Sequence, residues 1–222
     1  MVQNYTITCE GTAIQKVETI RYLGIKLDSN MSGEAHAREV IGKCNGRLSF
    51  LHRYSSLLDK NTRRILCTAL IQPFIDYCSS SWYAGLTSNL KERIDVIQRR
   101  MVRFIFSLDP RSHVDLVDLK GLSWMRIADR VSFFKLLHVF KIRKNLAPTY
   151  LSERFTDVQQ VHAYNTRGSR RNFSLSSDNS GSLLTFSYSA AKLWNDLPDY
   201  LKEIGNLPNF RTRLRDFILQ SY

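Results

Sequence analysis

The chain has 222 residues, 43% of them hydrophobic, 11% aromatic and 23% charged. That length supports one or two compact units with a buried core, the apolar content excludes an intrinsically disordered chain, and no apolar run approaches the roughly 18–20 residues of a membrane span. Lysine and arginine total 32 against 20 acidic residues, leaving a net charge of +12, and this balance points to a polyanionic partner, nucleic acid first.

Residues 4–28 carry a strand pattern. Tyr5, Ile7 and Cys9 alternate ahead of a Gly11-Thr12 turn signal, and Val17, Ile20, Tyr22, Leu23, Ile25 and Leu27 follow. Period-two alternation with β-branched and aromatic residues predicts a small antiparallel β unit. Gly24, inside its last strand, predicts a bulge or a close backbone approach.

Helical patterns then dominate. Ser32 is the expected N-cap of a helix reaching about Leu51, with Ala37, Ile41, Cys44, Leu48 and Leu51 on one face. Asp59 caps the next pattern, whose stripe is Ile65, Leu66, Ala69, Leu70, Phe74 and Tyr77; Pro73 inside it should kink or split the helix. Ser88 is placed to cap a third helix over about 89–107. There Leu90, Ile94, Ile97, Met101 and Ile105 form one stripe, and Lys91, Arg99, Arg100 and Arg103 project to the other side. Ser112 and Asp115 suggest a capping-box variant for a short helix ended by Gly121. Ser123 opens a fourth long helix with Ile127, Val131, Phe134 and Leu137 facing the core, and Pro148 stops it.

The character changes after Phe155. Residues 156–188 are rich in Ser, Asn, Thr and Gly, which predicts an irregular, extended segment carrying Arg167, Arg170 and Arg171. Two short helical pieces follow around Leu197-Pro198, and a last helix over about 208–220 sets Phe210, Leu214 and Phe217 on one face. The expected fold is mainly α: a helical bundle preceded by a small antiparallel β unit, with an irregular segment and short C-terminal helices. The expected units are residues 1–31, 32–155 and 156–222.

The cysteines, Cys9, Cys44, Cys67 and Cys78, form no CxxC pair and have no histidine at ligand spacing, so zinc is not expected. The N-terminal "MVQNYTITCEG" lacks the charged and apolar regions of a secretory signal. An intracellular setting, nuclear or cytoplasmic, with reduced thiols is therefore expected. Cys44, Cys67 and Cys78 fall in helical patterns as small hydrophobes. The scattered histidines have no Ser or Cys partner at suggestive spacing, so no nucleophilic triad is argued. Trp82 and Trp194 sit at apolar positions and read as core. Asp76 has no second carboxylate close in sequence and reads as a local or ion-pairing residue.

Several segments, in order, resemble the C-terminal part of reverse transcriptases from non-LTR (LINE-like) retrotransposons of the jockey-like and chicken-repeat-like group. They are "YLGIKLD" (Tyr22 to Asp28), "ALIQPFIDYCSSSWY" (Ala69 to Tyr83), "IDVIQRRMVRFIF" (Ile94 to Phe106), "HAYNTRG" (His162 to Gly168) and "AAKLWNDLPDYLK" (Ala190 to Lys202). Each alone is a weak signal; their order along nearly the whole chain is specific. The resemblance implies a residual palm or primer-grip-like β unit, a thumb-like helical bundle and a C-terminal extension. It implies template RNA and RNA–DNA duplex as partners, with upstream palm and fingers domains as further partners and no membrane. The family's catalysis uses paired aspartates holding Mg²⁺, in a "YADD"-like turn with an earlier Asp. No Asp-Asp pair occurs in this chain. Catalytic residues, metal ligands and cofactors are therefore expected to be absent from it, with Mg²⁺ expected only in an intact parent enzyme.

The expected nucleic-acid contacts are Tyr22, Gly24, Lys91, Arg99, Arg100, Arg103, Arg167, Arg170 and Arg171. Gly24 lets backbone approach a strand, as the resemblance suggests for a primer grip, or serves only the fold as a turn or bulge glycine. Arg99, Arg100 and Arg103 lay a basic helix face along phosphates, or form an ordinary solvated face. Arg167, Arg170 and Arg171, with Tyr164 and Phe173 nearby, suit single-stranded RNA, or belong to a solvated loop pinned by its aromatics. A retroelement-derived interaction protein without nucleic-acid function is the alternative to a binding module.

Overall fold

The computed structural model describes residues 7–161, 171–175 and 186–222 and is mainly helical, with paired β-strands only at the N-terminal end of the described residues. β1 (Thr8–Cys9) pairs with β2 (Thr12–Ala13), and β3 (Thr19–Tyr22) with β4 (Ile25–Asp28). Tyr22 faces Ile25 across the second hairpin, so Leu23 and Gly24 are its two-residue loop, with φ of 44° and 84°. Positive φ at both loop positions matches the right-handed twist of paired strands and favours glycine. Gly24 is thus a turn glycine, not an in-strand bulge. The first turn is likewise Glu10-Gly11, one residue before the expected Gly11-Thr12.

α1 (Glu34–Arg53) begins one residue later than the Ser32 cap requires, because Gly33 occupies the N-cap position at φ 76°. A Cβ there would stand 2.6 Å from the Trp82 carbonyl oxygen, so only glycine fits. The capping chemistry comes from β4: the Asp28 carboxylate accepts from the Ser32 backbone N–H at 2.8 Å and from the Ser32 hydroxyl at 2.9 Å. α2 (Lys60–Leu70) is capped by Asp59, whose side chain accepts from the Thr62 N–H at 2.7 Å. Pro73 splits the pattern as expected, giving α3 (Gln72–Asp76) and then α4 (Ser79–Trp82). The split also moves the buried face. Cys67, Ile71 and Ile75 are buried, whereas Ile65 and Tyr77 of the expected stripe are exposed. Cys78 lies between helices at φ 49° and is exposed, not packed as a helical hydrophobe.

α5 (Ser88–Phe106) follows Thr87 as its N-cap, and α6 (Leu116–Gly121) starts after Asp115, whose N–H is held by the Asp118 carboxylate at 2.9 Å. The reciprocal partner is Asp118, not Ser112. α7 (Ile127–Arg143) starts later than the expected Ser123, which sits in a loop at φ 55°. Short helices α8 (Thr149–Ser152) and α9 (Val158–Val161) precede α10 (Phe186–Asn195), α11 (Asp199–Lys202) and α12 (Leu207–Gln220). Part of the segment expected to be irregular, 156–188, is thus helical, and Asp157 bridges to Phe173.

Two hydrophobic clusters hold these elements. In the first, the α1 stripe Ala37, Ile41, Cys44, Leu48 and Leu51 meets the α5 stripe Leu90, Ile94, Ile97, Met101 and Ile105. In the second, Phe140 of α7 stacks on Phe210 of α12 at 4.3 Å, beside Trp194 of α10. α7 serves both. Ile127 and Val131 face the first cluster, and Phe133, Leu136, Val139 and Phe140 face the second. The expected core positions Phe134 and Leu137 are only half-buried. The second cluster also runs across the expected 155/156 boundary. No helix among the described residues is long and apolar enough to cross a membrane.

Candidate nucleic-acid interface

α5 is amphipathic with a wide apolar side. Beyond its expected stripe it buries Gln98, Val102 and Phe104, and the Gln98 amide donates to the Met125 carbonyl at 2.8 Å. This fixes the roll of the helix. Its outward row then reads Glu92, Arg93, Val96, Arg99, Arg100 and Arg103 at helical spacing.

The arginines of that row are tethered differently. Arg99 pairs with Glu92 on the same helix. Arg100 donates from Nη1 to Asn45 Oδ1 at 2.6 Å, tying α5 to α1. Arg103 donates from Nε to the Ser112 carbonyl at 2.8 Å and holds the loop that follows. All three are half-buried. A guanidinium has five N–H donors, so each retains free donors for an anion. Arg93 is exposed and makes no hydrogen bond or ion pair with the described residues. The sequence reading passed over Arg93, although its spacing of seven and ten before Arg100 and Arg103 places it on the same row.

Lys91 turns to another side: its Nζ donates to the Ala84 carbonyl at 3.3 Å and stands 5.6 Å from the Tyr83 ring. Beside the row lies a cavity of about 510 Å³ of mixed charge, lined by Asp95, Arg99, His113, Asp115 and Arg126. Burial, helped by the nearby Glu92, raises the Asp95 carboxyl above its ordinary value.

Tyr22 is 62% exposed on β3. Gly24 faces Tyr77: a Cβ there would meet the ring at 3.4 Å, and the Tyr77 hydroxyl donates to the Leu23 carbonyl at 2.6 Å. The close approach at Gly24 is made by this side chain. Arg21 and Glu39 lock the hairpin onto α1 at 2.8 Å. Arg171 pairs with Asp199 at 3.4 Å and Glu203 at 2.5 Å, and its carbonyl accepts from Trp194 Nε1. Arg167 and Arg170 lie outside the described residues. The structure therefore groups Arg99, Arg100 and Arg103 on one side of α5, turns Lys91 to another side of the same helix, and places Tyr22, Gly24 and Arg171 away from α5.

Other sequence readings have clear positions. Trp82 and Trp194 are buried, and Asp76 forms a two-pronged ion pair with Arg130, Nη2 to Oδ2 at 2.6 Å. Cys44 and Cys67 are buried, which pushes each thiol up to about 12. No protein-family model matches the chain, and no curated protein or solved structure matches it either.

Proposed function

We propose that this chain binds RNA and RNA–DNA duplex, as the C-terminal part of a non-LTR retrotransposon reverse transcriptase, and carries no polymerase chemistry in its own residues. The observation that carries the binding reading is the row Arg93, Arg99, Arg100 and Arg103 on α5, seated on a buried stripe. From Arg93 to Arg103 the row spans about 15 Å at 1.5 Å per residue. That length covers about four phosphate steps of one strand at 3.4 Å each. Recognition is electrostatic and by shape: arginines contact phosphates while the packed helices keep the row straight. The parent family is supported by the ordered sequence segments, and an intracellular site, nuclear or cytoplasmic, goes with it.

The test is R93Q/R99Q, which removes two outward charges without touching the bonds to Asn45 or Ser112. Titration of a labelled RNA–DNA hybrid should show weaker binding, with the salt slope reduced by about 1.4–1.8. An unchanged affinity and slope would remove α5 from the interface.

A second reading is favoured by the exposed apolar strands. Ile7, Ile14, Ile20, Tyr22 and Leu23 are each more than half exposed on the two hairpins. Such surface suits a packing partner. It fits either upstream palm and fingers domains or a retroelement-derived interaction protein without nucleic-acid function.

A further inference from the structure

We infer that the cleft between α2, α7 and α12 is a second nucleic-acid site, which holds the phosphodiester backbone of one single strand. The inference rests on the nucleic-acid reading above and assigns it a site away from the α5 row. The cleft has a volume of about 390 Å³. Arg64 of α2, Arg130 of α7, and Arg211 and Arg215 of α12 line it, and no carboxylate does among the described residues.

The charges are poorly compensated. Only Arg130 has an acidic partner, Asp76. Arg64 donates to the neutral Asn61 side chain at 3.2 Å, and Arg215 to the Ser123 carbonyl at 3.1 Å. Arg211 makes no hydrogen bond or ion pair with the described residues. Arg64, Arg211 and Arg215 are exposed, and like charges brought from three helices to one concave site raise the positive potential that an anion meets there. The floor adds an independent sign. Gln72 is only 6% exposed, lines the cleft, and makes no side-chain hydrogen bond with the described residues. Its amide N–H groups open onto the cleft and can donate to a phosphate oxygen there.

The occupant is a single strand because the cleft is too small for a duplex. Half-buried Phe134 lines the same cleft, with the Arg130 guanidinium 5.5 Å from its ring. An aromatic face beside a cationic groove lets a base stack while its phosphate is held.

The experiment is anisotropy titration of the full chain with a fluorescein-labelled octauridylate at several salt concentrations. R211Q/R215Q should bind about 10-fold more weakly, with the slope lowered by about 1.4 for two lost phosphate contacts. R211K/R215K, which keeps the charges, should retain the slope. R213Q removes a charge from the same helix outside the cleft and should stay within about twofold. Circular dichroism verifies that the variants are folded. If R211Q/R215Q behaves like R213Q while R93Q/R99Q weakens binding, the cleft is overturned and the α5 reading stands. If octauridylate binds no tighter than uridine monophosphate or inorganic phosphate at equal ionic strength, the site takes small anions and the strand is overturned. If the native chain binds no nucleic acid, the reading itself fails and the cleft fails with it.

Discussion

Tyr77 links two stretches that lie 54 residues apart: its hydroxyl donates to the Leu23 carbonyl while its ring fills the space over Gly24. Y77F keeps the ring and deletes the bond. Because Tyr77 is half exposed, the loss should fall near the low end of about 0.5–1.5 kcal/mol. A urea midpoint that drops slightly with an unchanged m-value checks it. Glu39 is the more pH-sensitive anchor. Hydrogen bonds from Lys43 at 2.7 Å and Arg21 at 2.8 Å lower its carboxyl from 4.5 to about 2. A depressed acid contributes stability that is fully present above its unfolded value and is lost as pH falls through its folded value. Stability should therefore fall between about pH 4.5 and 2, and E39Q should flatten that part of the profile. An identical acid profile in E39Q would contradict the assignment.

Among the elements, α7 carries the most packing. F140A removes a fully buried ring stacked on Phe210 and should cost about 3–5 kcal/mol, read as a lowered thermal midpoint. A loss under 1 kcal/mol would mean that the second cluster repacks freely. α7 also shows why its pattern was hard to read. A helix gripped by two clusters buries much of its circumference, so Phe133, Lys135 and Leu136 go inside while no single stripe stands out. α1 and α5 each bury one main side, and their stripes were legible from spacing alone. The α2 stripe failed because Pro73 ends the helix and re-aims the chain toward Ile75. The cap of α1 shifted because tertiary crowding from Trp82 demands glycine at position 33. Of the candidate site, the outward placement of Arg99, Arg100 and Arg103 was legible. Their tethers were not, because Asn45 lies 55 residues away and Ser112 in the loop beyond the helix, and neither leaves a helical spacing. The four-arginine cleft was invisible for the same reason: Arg64 and Arg211 meet only after α12 folds back onto α7.

Over the whole molecule, a net charge of +12 is carried on packed helices, with some cations spent on structure. Arg63 reaches the Phe104 and Ser55 carbonyls, and Arg143 lies 4.2 Å from the Phe173 ring while pairing with Asp157. Lys135 is buried against Ser189 at 2.8 Å, and burial lowers its pKa. Charge that remains outward, on α5 and around the α12 cleft, is what a polyanion meets. The decisive measurement is a salt-series titration of the full chain against an RNA–DNA hybrid, single-stranded RNA and duplex DNA. Binding should be tightest to the hybrid or the RNA. The log–log salt slope should be at least about −3, since four α5 arginines contribute about −0.7 to −0.9 each. Salt-independent binding, or no binding to any of the three at low salt, would contradict a nucleic-acid role and leave the positive charge as surface only.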